Sequence, residues 1–292
     1  MYQIISDSCV DLPAQVVSDL EINILPLKVT VKGKEYNNYL DHREINPKEF
    51  YNLLREKETA TTTQANPQEC IEIMKPILEN GEDVLFIVFS SQLSGTYNSC
   101  LIAQKELSEE YPDREIIIID SIAASMGQGL LVSNAAKLRQ AGKSINEVAD
   151  YVEDIKMDIS HLFTVSDLGH LRRGGRLSAS SFILGSIINI KPLLHVDREG
   201  KLKVYGKARG RFKSLNNLVK RMVETYDDKR NDKVFISHGD NLQDALYVRD
   251  AIMEKLKLKE DDFLINEIGP VIGAHSGVDT LAIFYIGSER HK

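Results

Sequence analysis

Apolar positions along this chain alternate between two textures. Short unbroken runs such as Val84–Phe89 and Glu115–Ile119 carry the pattern of strands buried on both faces of a sheet. Between them, apolar residues recur every three or four positions. Asn46-Pro47 opens one such helix, a capping residue followed by proline in the first turn, with Phe50, Leu53 and Leu54 on one face. Pro67 opens another, with Ile71, Met74, Ile77 and Leu78 at helical spacing. Gln3–Ser6 reads as a short first strand, followed by a turn over Asp7–Pro13 and a helix over Ala14–Leu20. Ile22–Val31 reads as one extended, β-branched stretch ending in a turn at Lys32-Gly33-Lys34. Helices over Met126–Ala141 and Ile145–Met157 complete a β-α-β-α unit.

The second half is patterned differently. A short strand at His161–Val165 leads into a basic, glycine-containing corner, Leu168–Leu177. Phe182, Ile183, Leu184, Ile187 and Ile188 then form a broad apolar helix face. Lys191–Val196 and Lys201–Tyr205 flank Asp197-Arg198-Glu199-Gly200 as a hairpin. A helix at Arg211–Tyr226, a strand at Lys233–Ser237, a helix at Leu242–Leu256 and strands at Phe263–Ile268 and Thr280–Ile286 follow. The pattern predicts an α/β protein of two domains. Residues 1–158 build a mostly parallel sheet flanked by helices, and residues 159–292 a mixed or antiparallel sheet with helices.

Composition narrows the function. A net charge of -7 opposes a general nucleic-acid surface. No apolar run reaches the roughly 18–20 residues of a membrane span, and the first residues carry no signal-peptide pattern. Cys9, Cys70 and Cys100 are too widely spaced for a zinc cluster, and their odd number suits a reducing compartment. A cytoplasmic location is expected.

Four segments could carry chemistry, each read as a loop at the end of a strand. Ser90-Ser91-Gln92-Leu93-Ser94-Gly95-Thr96 follows a buried strand and precedes a helix, where hydroxyls and free amides can hold an oxygen-rich group. The same residues also make an ordinary capped turn, and both readings stay open. Thr59–Pro67 is a run of hydroxyls before a helix, with an N-cap as its plain reading. Ile268–Gly277 frames His275 with glycines and shows no helical periodicity. Leu171-Arg172-Arg173-Gly174-Gly175-Arg176-Leu177 suits either a phosphate, an acidic partner surface or a solvated corner. There is no nucleotide-binding glycine loop, nucleophile elbow or zinc-protease motif. A Ser94–His275 pair is conceivable for hydrolysis or acyl transfer, with Asp7 and Asp279 as nominal orienting groups.

Taken in order, Ile5-Ser6-Asp7-Ser8, Thr61-Thr62-Thr63-Gln64-Ala65, Ser90–Tyr97, Asp120-Ser121, the Arg-Arg-Gly-Gly-Arg corner, Lys191-Pro192 and the segment with His275 resemble the DegV family from the first strand to the last. That resemblance implies a carrier with no catalytic residues, metal or cofactor of its own. It would hold one long-chain fatty acid between its domains and present the carboxylate to a separate ATP-dependent fatty acid kinase subunit. The acyl phosphate would then feed bacterial phospholipid synthesis, with no nucleic-acid partner and at most transient membrane contact. The resemblance places the carboxylate on Thr62, Ser94 and His275, with no arginine among these ligands, and the kinase contact on Arg209 and Arg173. Phe182, Ile183, Leu184, Ile187 and Ile188 would line the tail. The chain departs from the family pattern at Ala65-Asn66 and at Val278-Asp279, where a carboxylate stands close to His275 in sequence. The alternative is a Ser94/His275 hydrolase or acyltransferase.

Overall fold

The computed structural model describes residues 1–177 and 189–288. Phe182, Ile183, Leu184, Ile187 and Ile188, expected to line the tail, lie outside the described residues. The first half is built on a four-stranded, all-parallel sheet. Its strands β1 (Tyr2–Asp7), β2 (Ile22–Leu25), β6 (Asp83–Val88) and β7 (Ile116–Asp120) stand in the order β2-β1-β6-β7. Central β6 is buried almost throughout, as its unbroken apolar run requires. On β7 Ile117 and Ile118 are only half-buried, because that strand forms the sheet edge. Helices α3 (Pro67–Glu79) and α4 (Thr96–Glu110) pack together on one side. The Asn66–Glu69 capping box starts α3, and Ile71, Met74, Ile77 and Leu78 are buried as the spacing predicts. The cysteines remote in sequence partly converge here, with Cys70 Sγ and Cys100 Sγ 3.4 Å apart across the α3–α4 contact.

The second half carries a six-stranded mixed sheet in the order β10-β9-β8-β13-β11-β12. Its strands are β8 (Ile159–Thr164), β9 (Ile190–Val196), β10 (Leu202–Arg209), β11 (Val234–His238), β12 (Phe263–Glu267) and β13 (Leu281–Ile286). β9 and β10 form the expected hairpin, and only β11 and β12 run parallel. One face is covered by α8 (Arg211–Thr225) and α9 (Leu242–Leu256), which bury Leu215, Leu218, Met222, Val248 and Ile252 against it. The other face turns toward the parallel sheet. Between the two sheets runs α5 (Met126–Gln140), with α6 (Ile145–Ile155) beside it on the parallel sheet. All residues from Met126 to Ser133 are buried, which explains why α5 shows no polar face. Gly127 makes the close approach possible: a Cβ there would meet His161 Nε2 at 2.2 Å.

A third sheet departs from the sequence expectation. Ile22–Val31 is not one stretch, because Pro26 lacks the N–H that would continue a ladder. Ile22–Leu25 joins the parallel sheet, whereas β3 (Lys28–Val31) pairs with β4 (Lys34–Asn37) and β5 (Ala60–Thr63) in an antiparallel three-stranded sheet. The threonine run is therefore a strand rather than a loop, favoured by its β-branched residues. Its alternation leaves Thr61 and Thr63 exposed and Thr62 half-buried opposite Val29. Against this sheet lies α10 (Pro270–Ser276), with α2 (Pro47–Arg55) packed on α10. The His275 segment is thus also helical. Pro270 in its first turn and Gly277 at φ 80° beyond its end are ordinary helix boundaries. Its seven residues are packed on several sides, so no amphipathic period reveals them.

Two buried carboxyls join these layers. Asp7, at the end of β1, accepts from the N–H of Phe89 at 2.8 Å and of Cys9 at 3.0 Å, tying together the carboxyl ends of β1 and β6. Asp11 accepts from the Gly269 N–H at 2.9 Å and the Ser125 hydroxyl at 2.6 Å, joining the turn after β1 to the starts of α10 and α5. Burial raises Asp7 and pushes the Asp11 carboxyl up to about 8. Removing Asp11 leaves two buried donors unpaired. Asp11→Ala is therefore expected to lose about 2–4 kcal/mol in urea unfolding, and Asp11→Asn, which keeps a carbonyl acceptor, less than half of that. A loss under about 0.5 kcal/mol for Asp11→Ala would show that this carboxyl does not hold α10.

Candidate functional site

The strand order reverses between β1 and β6, and ligands of open α/β sheets gather outside the carboxyl ends at such a point. Cys9 follows β1 there, and Phe89, Leu93 and Ser94 follow β6. These residues border a hollow that continues to the inward face of the mixed sheet, where Phe163, Ala282 and Phe284 form part of its wall. The hairpin closes one side. Its Val196 and Leu202 line the hollow, and its tip docks on the Ser-rich loop through a 2.9 Å bond from Ser90 Oγ to the Gly200 carbonyl. The space that the centre of a water-sized sphere can reach inside it is about 90 Å³. Most lining side chains are aliphatic or aromatic, as an alkyl ligand requires.

At one end the hollow is polar. Thr62, Ser94 and His275, drawn from β5, the β6–α4 loop and the last turn of α10, all line it. Thr62 Oγ1 lies 2.7 Å from His275 Nε2. Ser94 Oγ lies 3.0 Å from Thr96 Oγ1 and accepts from the Thr96 N–H at 3.2 Å, so the first turn of α4 positions it. Two glycines permit this convergence. A Cβ on Gly174 would meet His275 Nδ1 at 2.1 Å, and one on Gly95 would meet the Gln64 amide at 2.1 Å. Gly174 explains half of the basic corner: it lets α7 (Gly169–Arg173) approach α10.

Sequence reasoning missed Arg176 as a member of this end. Its guanidinium donates from Nε to the Leu93 carbonyl at 2.9 Å and from Nη1 to the Gly174 carbonyl. Both carbonyl bonds hold the side chain beside Ser94 and His275, so the polar end is not free of arginine. Because two of its nitrogens serve the backbone, Arg176 offers a lateral positive charge rather than a free two-pronged fork. Burial, reinforced by that charge, lowers His275 to about 4, leaving the imidazole neutral near neutral pH. With the proton on Nε2, His275 donates to Thr62 Oγ1 and frees the Thr62 hydroxyl to donate to an anion. His275 Nδ1 is buried without a partner among the described residues.

Asp279 does not bear on this imidazole. Its carboxylate accepts from Asn241 Nδ2 at 3.1 Å and Ser166 Oγ at 3.4 Å. Asp7 is committed to Phe89 and Cys9. Among the described residues no hydrogen bond joins Ser94 to His275. Arg173 is exposed on α7 and lines a second depression that shares Thr62, Arg176 and His275 with the hollow. Arg209 is exposed at the end of β10, within a strand longer than the hairpin pattern predicts.

Together these features define an α/β protein whose apolar hollow ends in a cluster of hydroxyls, a buried imidazole and a guanidinium. Residues 1–288 match the family model described as "Uncharacterised protein, DegV family". A DegV domain-containing protein of Clostridium perfringens is 43% identical over 289 residues, covering 99% of this chain and 98% of that one. A solved Thermus thermophilus DegV family protein, described by its fatty acid binding, superposes with a TM-score of 0.85 at 29% identity, covering 97% of this chain and 98% of its own. A stearic acid-binding protein of Eubacterium ventriosum superposes with a TM-score of 0.87 at 25% identity, covering 97% of each chain. The chain belongs to the DegV family.

The depressed imidazole has a pH signature. Between about 4 and 6.5 the unfolded chain takes up a proton at His275 that the folded protein refuses, so this residue's contribution to stability is lost as pH falls through that window. The stability difference between wild type and His275→Gln, read from urea unfolding, should therefore grow from pH 4 to 6.5 by up to about 3 kcal/mol. Comparison with the variant removes the parallel contributions of His170 and His238, which burial also depresses. A difference that does not vary with pH would refute the buried, neutral assignment.

Proposed function

We propose that this protein binds a single long-chain fatty acid in the hollow, with its carboxylate on Thr62, Ser94 and His275. It presents that carboxylate to a separate ATP-dependent kinase subunit, and the acyl phosphate formed feeds phospholipid synthesis. The observation that carries this reading is the Thr62–His275 hydrogen bond at 2.7 Å, beside Ser94, at the polar end of an otherwise apolar space. The fatty acids held by the Thermus and Eubacterium relatives support it. We take residues 1–158 and 159–292 as its two lobes and the cytoplasm as its location, consistent with the lack of a membrane-spanning helix among the described residues.

The two ends of the ligand do different work. Burial of the tail contributes about 0.8 kcal/mol per methylene, and this sets affinity. Hydrogen bonds to the head, about 1.5–3 kcal/mol each, chiefly offset its desolvation and aim one oxygen outward. Arg173 and Arg176 at the adjoining depression supply positive charge where a phosphoryl group would arrive, and we assign Arg173 and exposed Arg209 to the kinase contact. Catalysis by the chain itself is disfavoured by geometry. Ser94 is engaged with Thr96, the imidazole with Thr62, and neither candidate aspartate reaches His275.

Native mass spectrometry of protein purified from a bacterial host should show a non-covalent adduct that extracts as a long-chain fatty acid. Thr62→Ala and Ser94→Ala should each weaken binding about tenfold or more and shift the carbon-13 signal of a carboxyl-labelled acid. A covalent acyl group on Ser94, or no uptake of any fatty acid, would overturn the carrier reading. With a bacterial fatty acid kinase subunit and ATP, Arg209→Ala should lower acyl phosphate formation about tenfold at matched lipid occupancy. An undiminished rate would remove Arg209 from the contact.

A further inference from the structure

The wall of the hollow is not apolar throughout. Ser125 opens α5 with left-handed backbone at φ 52°, and Ser237 sits on β11 opposite Ala282 of β13. Both line the hollow. Ser125 Oγ donates to Asp11 Oδ2 at 2.6 Å and stands 3.1 Å from Ser237 Oγ. With its carboxyl raised to about 8, Asp11 can also donate to Ser125, so either serine hydroxyl can be the donor across the 3.1 Å contact, and in both cases Ser237 Oγ keeps accepting capacity. It is left with a lone pair that no donor fills among the described residues. Ser276, which also lines the hollow, is only 6% exposed, and its hydroxyl has no partner among the described residues. Buried polar atoms facing hydrocarbon are costly when unpaired. A plain methylene chain would leave the Ser276 hydroxyl unpaired and the spare lone pair of Ser237 Oγ unfilled.

We propose that the hollow is adapted to an oxygenated acyl chain, a long-chain hydroxy fatty acid whose mid-chain hydroxyl donates to Ser237 Oγ. This rests on the lipid-binding reading above. α10 relates the two polar stations: the Gly269 N–H before its first turn is held by Asp11, and His275 in its last turn meets the head group. Six residues of helix span about 9 Å. The Asp11–Ser125–Ser237 series is therefore met partway down a tail whose carboxylate rests at His275. The neighbours of these serines on the wall, Ala124 and Ala282, are small.

The test is competitive binding of octadecanoic acid and a series of monohydroxy-octadecanoic acids with the hydroxyl moved stepwise along the middle of the chain. At least one isomer should bind about fivefold or more tightly than octadecanoic acid. Its preference should fall to near parity in Ser237→Ala, with thermal unfolding confirming that the variant is folded. The positional optimum in wild type stands as evidence even if that variant does not fold. The proposal is overturned if no isomer outbinds octadecanoic acid, or if the preference survives in Ser237→Ala. Should neither octadecanoic acid nor any isomer bind, the lipid-binding reading falls with it.

Discussion

The site depends on the grip exerted on one short helix. α10 has only seven residues, too few to be stable from its own hydrogen bonds, yet it carries His275. Its start is held by the Asp11 carboxyl on the Gly269 N–H, and its end by the Thr62–His275 bond. Tyr51 adds a third hold through a 2.9 Å bond to the Ile268 carbonyl just before it. Because Asp11 extends from β1 and Thr62 stands on the three-stranded sheet, His275 is placed by the first half of the chain although it belongs to the second.

That arrangement accounts for the space beside it. Two sheets that share α5 as a common layer would close completely if α5 ran the full width between them. α5 instead begins at the hollow, where its capping residue Ser125 meets Asp11 and Ser237, and Phe163 and Phe284 on the inward face of the mixed sheet border that space. An apolar wall without a protein partner is the feature a hydrocarbon ligand satisfies.

The polar end has a similarly simple electrostatic logic. Burial keeps His275 neutral, and Arg176, tied to two backbone carbonyls, supplies a fixed positive charge that lowers it further. In the proposed function an anion seated there is attracted by a charge that cannot swing away, and the hydroxyls of Thr62 and Ser94 orient it. Asp279, the acid nearest in sequence, is turned to Asn241 and Ser166 and does not oppose this attraction.

Much of this was legible in the residues. The unbroken run at Val84–Phe89 required a central strand, Asn66-Pro67 required a helix start, and Asp197–Gly200 required a hairpin, because each is dictated by short-range patterning. The hydroxyls and the glycine-framed histidine stand out as candidates for the same reason. Their convergence does not, since Thr62 and His275 are 213 positions apart and meet only through sheet pairing and the Asp11 contact. The threonine strand and α10 both read as loops in the sequence, one because its partner β3 is hidden behind Pro26, the other because helices packed on several sides lose their periodicity. Arg176 was visible only as one charge in a basic corner. Its role arises from the backbone carbonyls of Leu93 and Gly174, and their positions are set by tertiary packing rather than by neighbouring residues.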